Sequence, residues 1–263
     1  MIPNDYPRNS CIGRVLLFCL TFFCMPLASR GATAPRAVDV MVESDAPPWS
    51  KADGTGYAND IVVAAFREMG VKVNLQVVPY ARCKAKVLSG AVPACFNMGW
   101  LPEFKGVLKF SSAPLVQVNA DVFENISKPL PKPVNGKCRL PAGMVVGIAH
   151  GYEYPPETSA LAAAHVAFDE APSDENNLKK LASGRFDAAI IMTNDLQPKD
   201  SKPRATNTEK QVRFAFNCGI QTGAIGFSLK HPQGMEIYHL YEDGYKRIKH
   251  NGTLRDIRER WFP

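Results

Sequence analysis

The stretch Leu101-Pro-Glu-Phe-Lys-Gly-Val-Leu-Lys-Phe-Ser-Ser-Ala-Pro-Leu115 does most to decide the fold of this chain. It follows a predicted strand, Val92 to Met98, and places an aromatic residue, Phe104, near its start. The phenyl ring of Phe104 offers apolar area and a π face, and it carries no charge.

The composition is typical of a globular protein. The chain has 263 residues, of which 46% are apolar and 21% are charged, so it can form one large domain or two smaller lobes. Its net charge of +6 is spread without a basic tract, which gives little support to nucleic-acid binding. We therefore expect no nucleic-acid partner.

The N-terminus has the pattern of a signal peptide. Arg8 and Arg14 precede an apolar run, Val15 to Ala28, that is short for a bilayer span but typical of a secretory h-region. We expect a signal peptide over residues 1–32, cleaved between Ala28 and Ala34. An uncleaved membrane anchor is the alternative.

The first half of the chain alternates strands with helices. The predicted elements are strand Ala37–Glu43, a helix with apolar residues at 61, 62, 65, 66 and 69 that stops at Gly70, strand Val71–Val78, helix Tyr80–Ser89 before Gly90, and strand Val92–Met98. Such alternation predicts a parallel sheet with right-handed crossovers.

A second α/β unit follows the proline-rich segment Lys128–Pro133, which looks like a break between lobes. The predicted elements are strand Met144–Ala149, helix Pro156–Ala164, strand His165–Phe168, helix Asp174–Ser183, strand Phe186–Met192, return strand Val212–Phe216, and helices over Met235–Trp261 interrupted at Gly252.

The cysteines favour two disulfides. Three of the seven lie in or beside the predicted signal, and four, Cys83, Cys95, Cys138 and Cys218, lie in the expected mature chain. Three pairings are possible; we favour Cys83–Cys95, which ties a helix to the next strand, and Cys138–Cys218, which staples the second lobe. With no Cys-x-x-Cys and scattered histidines, we expect no metal or cofactor.

An ordered set of short motifs carries a family resemblance. These motifs are Pro48-Trp49, Gly56-Tyr57, Arg82, Gly90, Phe110-Ser-x-x-Pro114, Val146-Gly147 with Gly151, Gly184-Arg-x-Asp187, and Gly252 with Trp261-Phe262. Together they resemble the bacterial extracellular solute-binding proteins of family 3, which serve polar amino-acid ABC transporters, over essentially the whole mature chain.

The resemblance implies an α/β, two-lobe periplasmic binding protein-like fold of type II. Each lobe would be a mixed, mainly parallel sheet flanked by helices, and two hinge strands would join the lobes. The implied bounds are lobe 1 over residues 33–122 and 222–263, lobe 2 over 123–221, and hinge crossings near 120–126 and 216–224.

Two residues depart from the amino-acid-binding branch. There, a Thr-x-x-Arg supplies an arginine for the ligand carboxylate, and an acidic residue five positions after the Gly-x-x-Asp aspartate holds the ligand ammonium. The matching positions here are Leu101, Phe104 and Met192. Lys105 or Asp195 could compensate, but a shift of one residue on a strand reverses the face. The ligand is therefore expected not to be a standard α-amino acid.

The predicted ligand-binding residues lie at strand ends and helix starts. They are Asp45, Trp49, Tyr57, Arg82, Asn97, Gly99, Trp100, Phe104, Tyr152, Tyr154 and Met192. Asp45 would meet a cationic ligand and Arg82 an anionic group, while the tyrosines would offer rings and hydroxyls. The alternatives are a turn residue for Asp45, a solvated helix face for Arg82, and packing for Trp49, Tyr57 and Trp100.

The resemblance predicts a monomeric, non-enzymatic periplasmic protein that binds a small-molecule ligand for an inner-membrane ABC permease. One alternative is an accessory or sensory module for a membrane partner or a secreted dehydrogenase. Another is a dehydratase-like enzyme on the same fold. The chain has no Gly-x-Ser-x-Gly, His-Glu-x-x-His or P-loop motif, and we predict no catalytic residue.

Overall fold

The protein is seen here as a computed structural model, which describes residues 37–131 and 138–263. The predicted signal peptide and part of the predicted break at Lys128–Pro133 lie outside the described residues.

The described elements follow the predicted alternation closely. In the first half they are β1 Ala37–Glu43, β2 Asp45–Ala46, β3 Ser50–Lys51, α1 Tyr57–Glu68, β4 Lys72–Val78, α2 Tyr80–Ser89, β5 Ala94–Gly99, a 3₁₀ turn Pro102–Phe104, β6 Leu108–Phe110 and β7 Val116–Asn125. In the second half they are β8 Val145–Ala149, α3 Pro156–Ala163, β9 Ala167–Ala171, α4 Asp174–Ala182, β10 Ala188–Thr193, α5 Ser201–Ala205, β11 Val212–Ser228, α6 Gly234–His250 and α7 Thr253–Trp261.

The main sheet is mixed, and its strand order is β4-β1-β5-β11-β7-β10-β8-β9. Strand β1 pairs in parallel with β4 and β5, and β8 pairs in parallel with β9 and β10. Strands β7 and β11 run antiparallel to each other between these two parallel groups. The predicted α/β fold of two lobes with mixed, mainly parallel sheets is confirmed.

Strand β11 is far longer than the predicted return strand Val212–Phe216, because it continues to Ser228. Its first part pairs with β7, and its last part pairs with β5. The pairing with β7 is irregular between Phe214 and Phe216 and between Asn217 and Ile220, and the pairing with β5, which begins at Gly223, is irregular between Ala224 and Ile225. One strand therefore connects both halves of the sheet.

Each half of the sheet has its own apolar core. We use "lobe one" for the half around the cores that contain Phe66, Phe96 and Met98, and "lobe two" for the half around those that contain Phe123 and Ile190. The predicted residue bounds of the two lobes stay a prediction.

In lobe one, helix α1 buries one apolar face against helix α6. Ile61, Val62, Ala65 and Phe66 recur at helical spacing and are all buried, and Tyr241 of α6 packs against the ring of Phe66. The fit is close enough to require Gly244 on α6, since a Cβ there would lie 1.9 Å from the carbonyl oxygen of Ala65.

Both predicted disulfide pairings are present. Cys83 on α2 is bonded to Cys95 on β5, with a Cα–Cα distance of 5.8 Å, and Cys138 is bonded to Cys218, with a Cα–Cα distance of 4.8 Å. The first disulfide fixes α2 to β5, which matters because both elements carry residues of the cleft described below.

Among the described residues, the helices are all too short or too polar to cross a bilayer.

We predict that Gly244→Ala destabilises lobe one. A backbone contact of 1.9 Å forces α1 and α6 apart, and overpacking of this kind costs up to about 3 kcal/mol, while alanine regains only about 1 kcal/mol of helix propensity. Urea denaturation should show a net loss of about 2 kcal/mol. The neighbouring exposed change Asp243→Ala should stay within about 0.5 kcal/mol of wild type, and equal losses for the two variants would contradict the packing argument.

Candidate functional site

A cavity lies between the two lobes, at the ends of β1 and β5. It has about 540 Å³ of empty space, part of it open to solvent. Its lining residues are Glu43, Ala46, Pro47, Trp49, Tyr80, Asn97, Gly99, Val116, Val118, Tyr152, Glu153, Met192, Lys202, Gln221 and Gly223. Little of this space can hold a water-sized molecule. The cleft therefore leaves room for a small ligand only.

Aromatic side chains from both lobes form much of the wall. Trp49 comes from the turn after β2, Tyr80 begins α2, and Tyr152 belongs to the turn after β8. The rings of Tyr80 and Tyr152 meet edge to face with centroids 5.2 Å apart. Tyr80 of lobe one and Tyr152 of lobe two are therefore in contact across the cleft.

The start of α1 holds the Trp49 loop in place. The backbone amides of Tyr57 and Ala58 donate hydrogen bonds to the carbonyl oxygens of Pro48 and Trp49, each at 3.0 Å. At Gly56 a Cβ would lie 2.2 Å from the Trp49 carbonyl oxygen, so this approach requires glycine. The loop can therefore present the indole to the cavity in a fixed position.

Glu43 is a buried carboxylate at the end of β1. It is only 5% exposed and accepts a hydrogen bond of 2.8 Å from the hydroxyl of Tyr152. In the described part of the chain, Glu43 forms no salt bridge, because the neighbouring Lys202 pairs with Asp174 at 2.6 Å. Burial raises the pKa of Glu43 to about 7, while Tyr152 and Lys202 oppose the rise. Near neutral pH this carboxyl group is poised between its two protonation states.

Glu153 is a second buried carboxylate, and it reaches across the cleft from lobe two. Its Oε1 lies 2.9 Å from Nζ of Lys84, and its Oε2 accepts hydrogen bonds from the Tyr80 hydroxyl and, at 3.1 Å, from the backbone amide of Gly99. Burial raises the pKa of Glu153, whereas Lys84 and the hydrogen-bond donors lower it. Unlike Glu43, this carboxylate has a complete set of partners.

Five of the predicted site residues line the cavity: Trp49, Asn97, Gly99, Tyr152 and Met192. Asn97 adopts a left-handed conformation with φ 64°, and its amide nitrogen donates to the Ser50 hydroxyl at 3.2 Å. Its amide oxygen is buried and has no hydrogen-bond partner among the described residues.

The other predicted site residues lie outside this lining. Asp45 is half-buried, and burial raises its pKa. Tyr57 packs on Trp49 and Phe262, and the hydroxyl of Tyr154 accepts a hydrogen bond of 2.8 Å from the amide of Ala149 in lobe two. Arg82 and Trp100 are exposed, and Phe104 is buried and stacks on Phe110. Their roles in binding stay predictions.

The sequence interpretation missed several residues of the lining. These are Glu43, Tyr80, Glu153, Lys202 and Gln221, together with Lys84 behind Glu153. Two signals could have found some of them. Glu43 is the last residue of a buried strand at the ligand edge, and Lys84 follows Tyr80 by four residues, on the same face of α2.

The chain matches one protein family over most of its length. A profile of the bacterial extracellular solute-binding proteins, family 3, matches residues 38–263. No curated protein matches the chain significantly.

Solved structures share the fold at low sequence identity. A histidine kinase sensor domain with similarity to periplasmic binding proteins has a TM-score of 0.69 and 17% identity, covering 86% of this chain and 96% of that one. An ancestral arginine-binding protein bound to arginine has a TM-score of 0.68 and 20% identity, covering 88% and 100%. An amino acid ABC transporter substrate-binding protein from Streptococcus pneumoniae, bound to L-arginine, has a TM-score of 0.66 and 19% identity, covering 86% and 94%.

We predict that Glu43 makes stability depend on pH. Its pKa is 4.5 in the unfolded chain and about 7 in the fold, so between these values the folded state binds more protons, and stability falls as the pH rises. Relative to Glu43→Gln, the ligand-free wild type should lose roughly 3 kcal/mol of unfolding free energy between pH 4.5 and pH 7.5. Urea denaturation across this range measures the difference, and parallel pH curves for the two proteins would refute the assignment.

Proposed function

The chain belongs to the bacterial extracellular solute-binding proteins, family 3, and on that premise we propose that its interlobe cleft binds a small amine without a free carboxylate. The observation that carries the proposal is Glu43, a buried carboxylate that faces the cavity and has no salt-bridge partner in the described chain. An isolated buried charge is costly, and a cationic ligand would supply the missing partner.

The surroundings of Glu43 suit an ammonium group. The rings of Trp49, Tyr80 and Tyr152 line the same cavity, and an aromatic face attracts a cation by about 0.5–2 kcal/mol. Asn97 lines the same cavity, and its amide oxygen, which has no partner among the described residues, would be a further acceptor for a ligand that reached it. Ion pairing, cation–π contact and a hydrogen bond would then act on one small group.

The cleft lacks the partners expected for an α-amino acid. Phe104, at the position of the carboxylate-binding arginine, is buried against Phe110. Met192, at the position of the ammonium-binding acid, contributes a thioether to the wall. Lys84 is already paired with Glu153. These observations support a ligand whose cation meets Glu43 and whose remainder is uncharged.

In this proposal the protein is exported to the periplasm by its signal peptide, acts as a monomer and delivers its ligand to an inner-membrane ABC permease. Membership of the family and similarity to a transporter substrate-binding protein support this role. The protein binds its solute without transforming it. Because the cavity has walls from both lobes, a ligand that contacts both favours the closed arrangement over the open one.

A thermal-shift screen tests the proposed ligand class. It compares small amines, α-amino acids, monocarboxylates and neutral polyols, each titrated into wild type and Glu43→Gln at pH 8, where Glu43 is ionised. An amine at 100 times its Kd should stabilise wild type by about 2.7 kcal/mol, or about 5–10 °C in Tm. The same amine should leave Glu43→Gln nearly unchanged.

Two results would contradict the proposal. The first is a stabilisation by α-amino acids that equals or exceeds that by amines. The second is a flat response of wild type to every class at saturating concentration. Isothermal titration of the best amine at pH 6 and pH 8 adds a check, because affinity should rise with pH as Glu43 loses its proton.

A further inference from the structure

We propose that lobe one contains a carboxylate-binding site and that the protein fills it with its own Glu153, so that the closed cleft rejects ligands with a free carboxylate. The site consists of the Tyr80 hydroxyl, the Lys84 ammonium and the Gly99 backbone amide. This inference deepens the proposed function and rests on it, since rejecting a class of solute matters only if the cleft binds one.

The three donors converge on one carboxylate from different directions. Lys84 meets Oε1 at 2.9 Å, while the Tyr80 hydroxyl and the Gly99 amide, at 3.1 Å, meet Oε2. A cation, a phenol and a backbone amide around two oxygens satisfy an ionised carboxylate almost completely. The side chain of Glu153 is only 2% exposed, so water cannot replace these donors.

The donors belong to elements that are fixed within lobe one. Tyr80 and Lys84 are four residues apart on α2 and therefore project from the same face of the helix. Gly99 ends β5, and the disulfide between Cys83 and Cys95 joins α2 to that strand. The donors are thus positioned independently of Glu153, as a preformed site requires.

Glu153 enters this site from lobe two on a closely docked turn. The Lys84 ammonium also donates to the carbonyl oxygen of Gly151, and the Gln221 amide reaches the carbonyl oxygen of Glu153 at 3.5 Å. A Cβ at Gly99 would lie 2.7 Å from Cβ of Glu153, so the approach of the glutamate requires glycine at that position. The backbone contacts and the carboxylate contacts fit one closed arrangement.

This arrangement determines ligand selectivity in a direct way. A solute carboxylate that entered the cleft would find the donors occupied and would face the negative charge of Glu153. Removing that side chain should leave an empty space beside the Lys84 ammonium, of the size of a small carboxylate. Glu153 is therefore a specificity-determining residue, and its role differs from that of a simple salt bridge because a free carboxylate can take its place.

Chemical rescue of Glu153→Ala by formate and acetate tests the inference. Tm is measured in rising sodium formate or acetate against sodium chloride at equal ionic strength. Saturating acetate should raise the Tm of Glu153→Ala by about 3–6 °C beyond chloride. Wild type should show no such excess, because its site is occupied. The double variant Glu153→Ala with Lys84→Met should also show none, because it lacks the cation.

Glu175→Ala is the matched control. Glu175 also pairs with a lysine, Lys179, at 2.5 Å, but both residues are exposed on α4. Acetate should not stabilise this variant more than chloride does. Equal effects of acetate and chloride on Glu153→Ala would overturn the inference, as would equal acetate stabilisation of wild type or of Glu175→Ala.

If Glu153→Ala does not fold, Lys84→Met provides the test. The ionisable groups that interact with Glu153 are Lys84 and Tyr80 on α2 and Tyr154 in lobe two, and Glu43 on β1 acts on Tyr80. Lys84 stabilises only the ionised glutamate, so the Tm deficit of Lys84→Met at pH 8 should shrink as Glu153 is protonated towards pH 4. A deficit that stays constant over this range would overturn the inference.

The outcomes separate this inference from the proposed function. If acetate rescues Glu153→Ala but amines do not stabilise wild type, the inference about Glu153 stands and the proposed amine ligand is wrong. If amines stabilise wild type but acetate does not rescue Glu153→Ala, the proposed amine ligand stands and the inference about Glu153 is wrong.

Discussion

The closed cleft depends on one interaction, the carboxylate of Glu153 held by Lys84, Tyr80 and Gly99 across the two lobes. Taking an ion pair out of water costs several kcal/mol per ion, so the pair persists only where geometry and additional hydrogen bonds offset that cost. Here the donors are fixed by α2, by β5 and by the disulfide that joins them. Removing one partner of a buried ion pair of this kind typically lowers the stability of the fold by about 3–5 kcal/mol.

This interaction gives a physical reason for the departure from the amino-acid-binding pattern at Phe104. An arginine at Phe104 would add a second cation near a carboxylate site that already has Lys84, whose ammonium lies 5.9 Å from the Phe104 ring centroid. In our proposal, Glu153 fills the place that a ligand carboxylate would otherwise take. Glu43, which lines the same cavity, is then the carboxylate that would select for a cation.

The sequence predicted most of the regular structure but less of the site. The bounds of β1 and α2 were correct because an apolar strand and a helix ending at a left-handed Gly90 have strong local signals. Most of β11 was missed, since its middle, Asn217 to Gly223, is polar and glycine-rich and is held by pairing with β7. Glu153 and Lys84 were missed because charged residues are usually exposed and these two lie 69 positions apart. Only the packed fold brings them together.

A crystal structure of the protein with the solute that co-purifies with it tests the central claim most directly. The account predicts a small amine whose nitrogen lies within about 3 Å of the Glu43 carboxylate, while Glu153 remains bound to Lys84, Tyr80 and the Gly99 amide. The account would be contradicted by a bound solute whose own carboxylate accepts hydrogen bonds from the Gly99 amide and Lys84 while the Glu153 side chain is turned away.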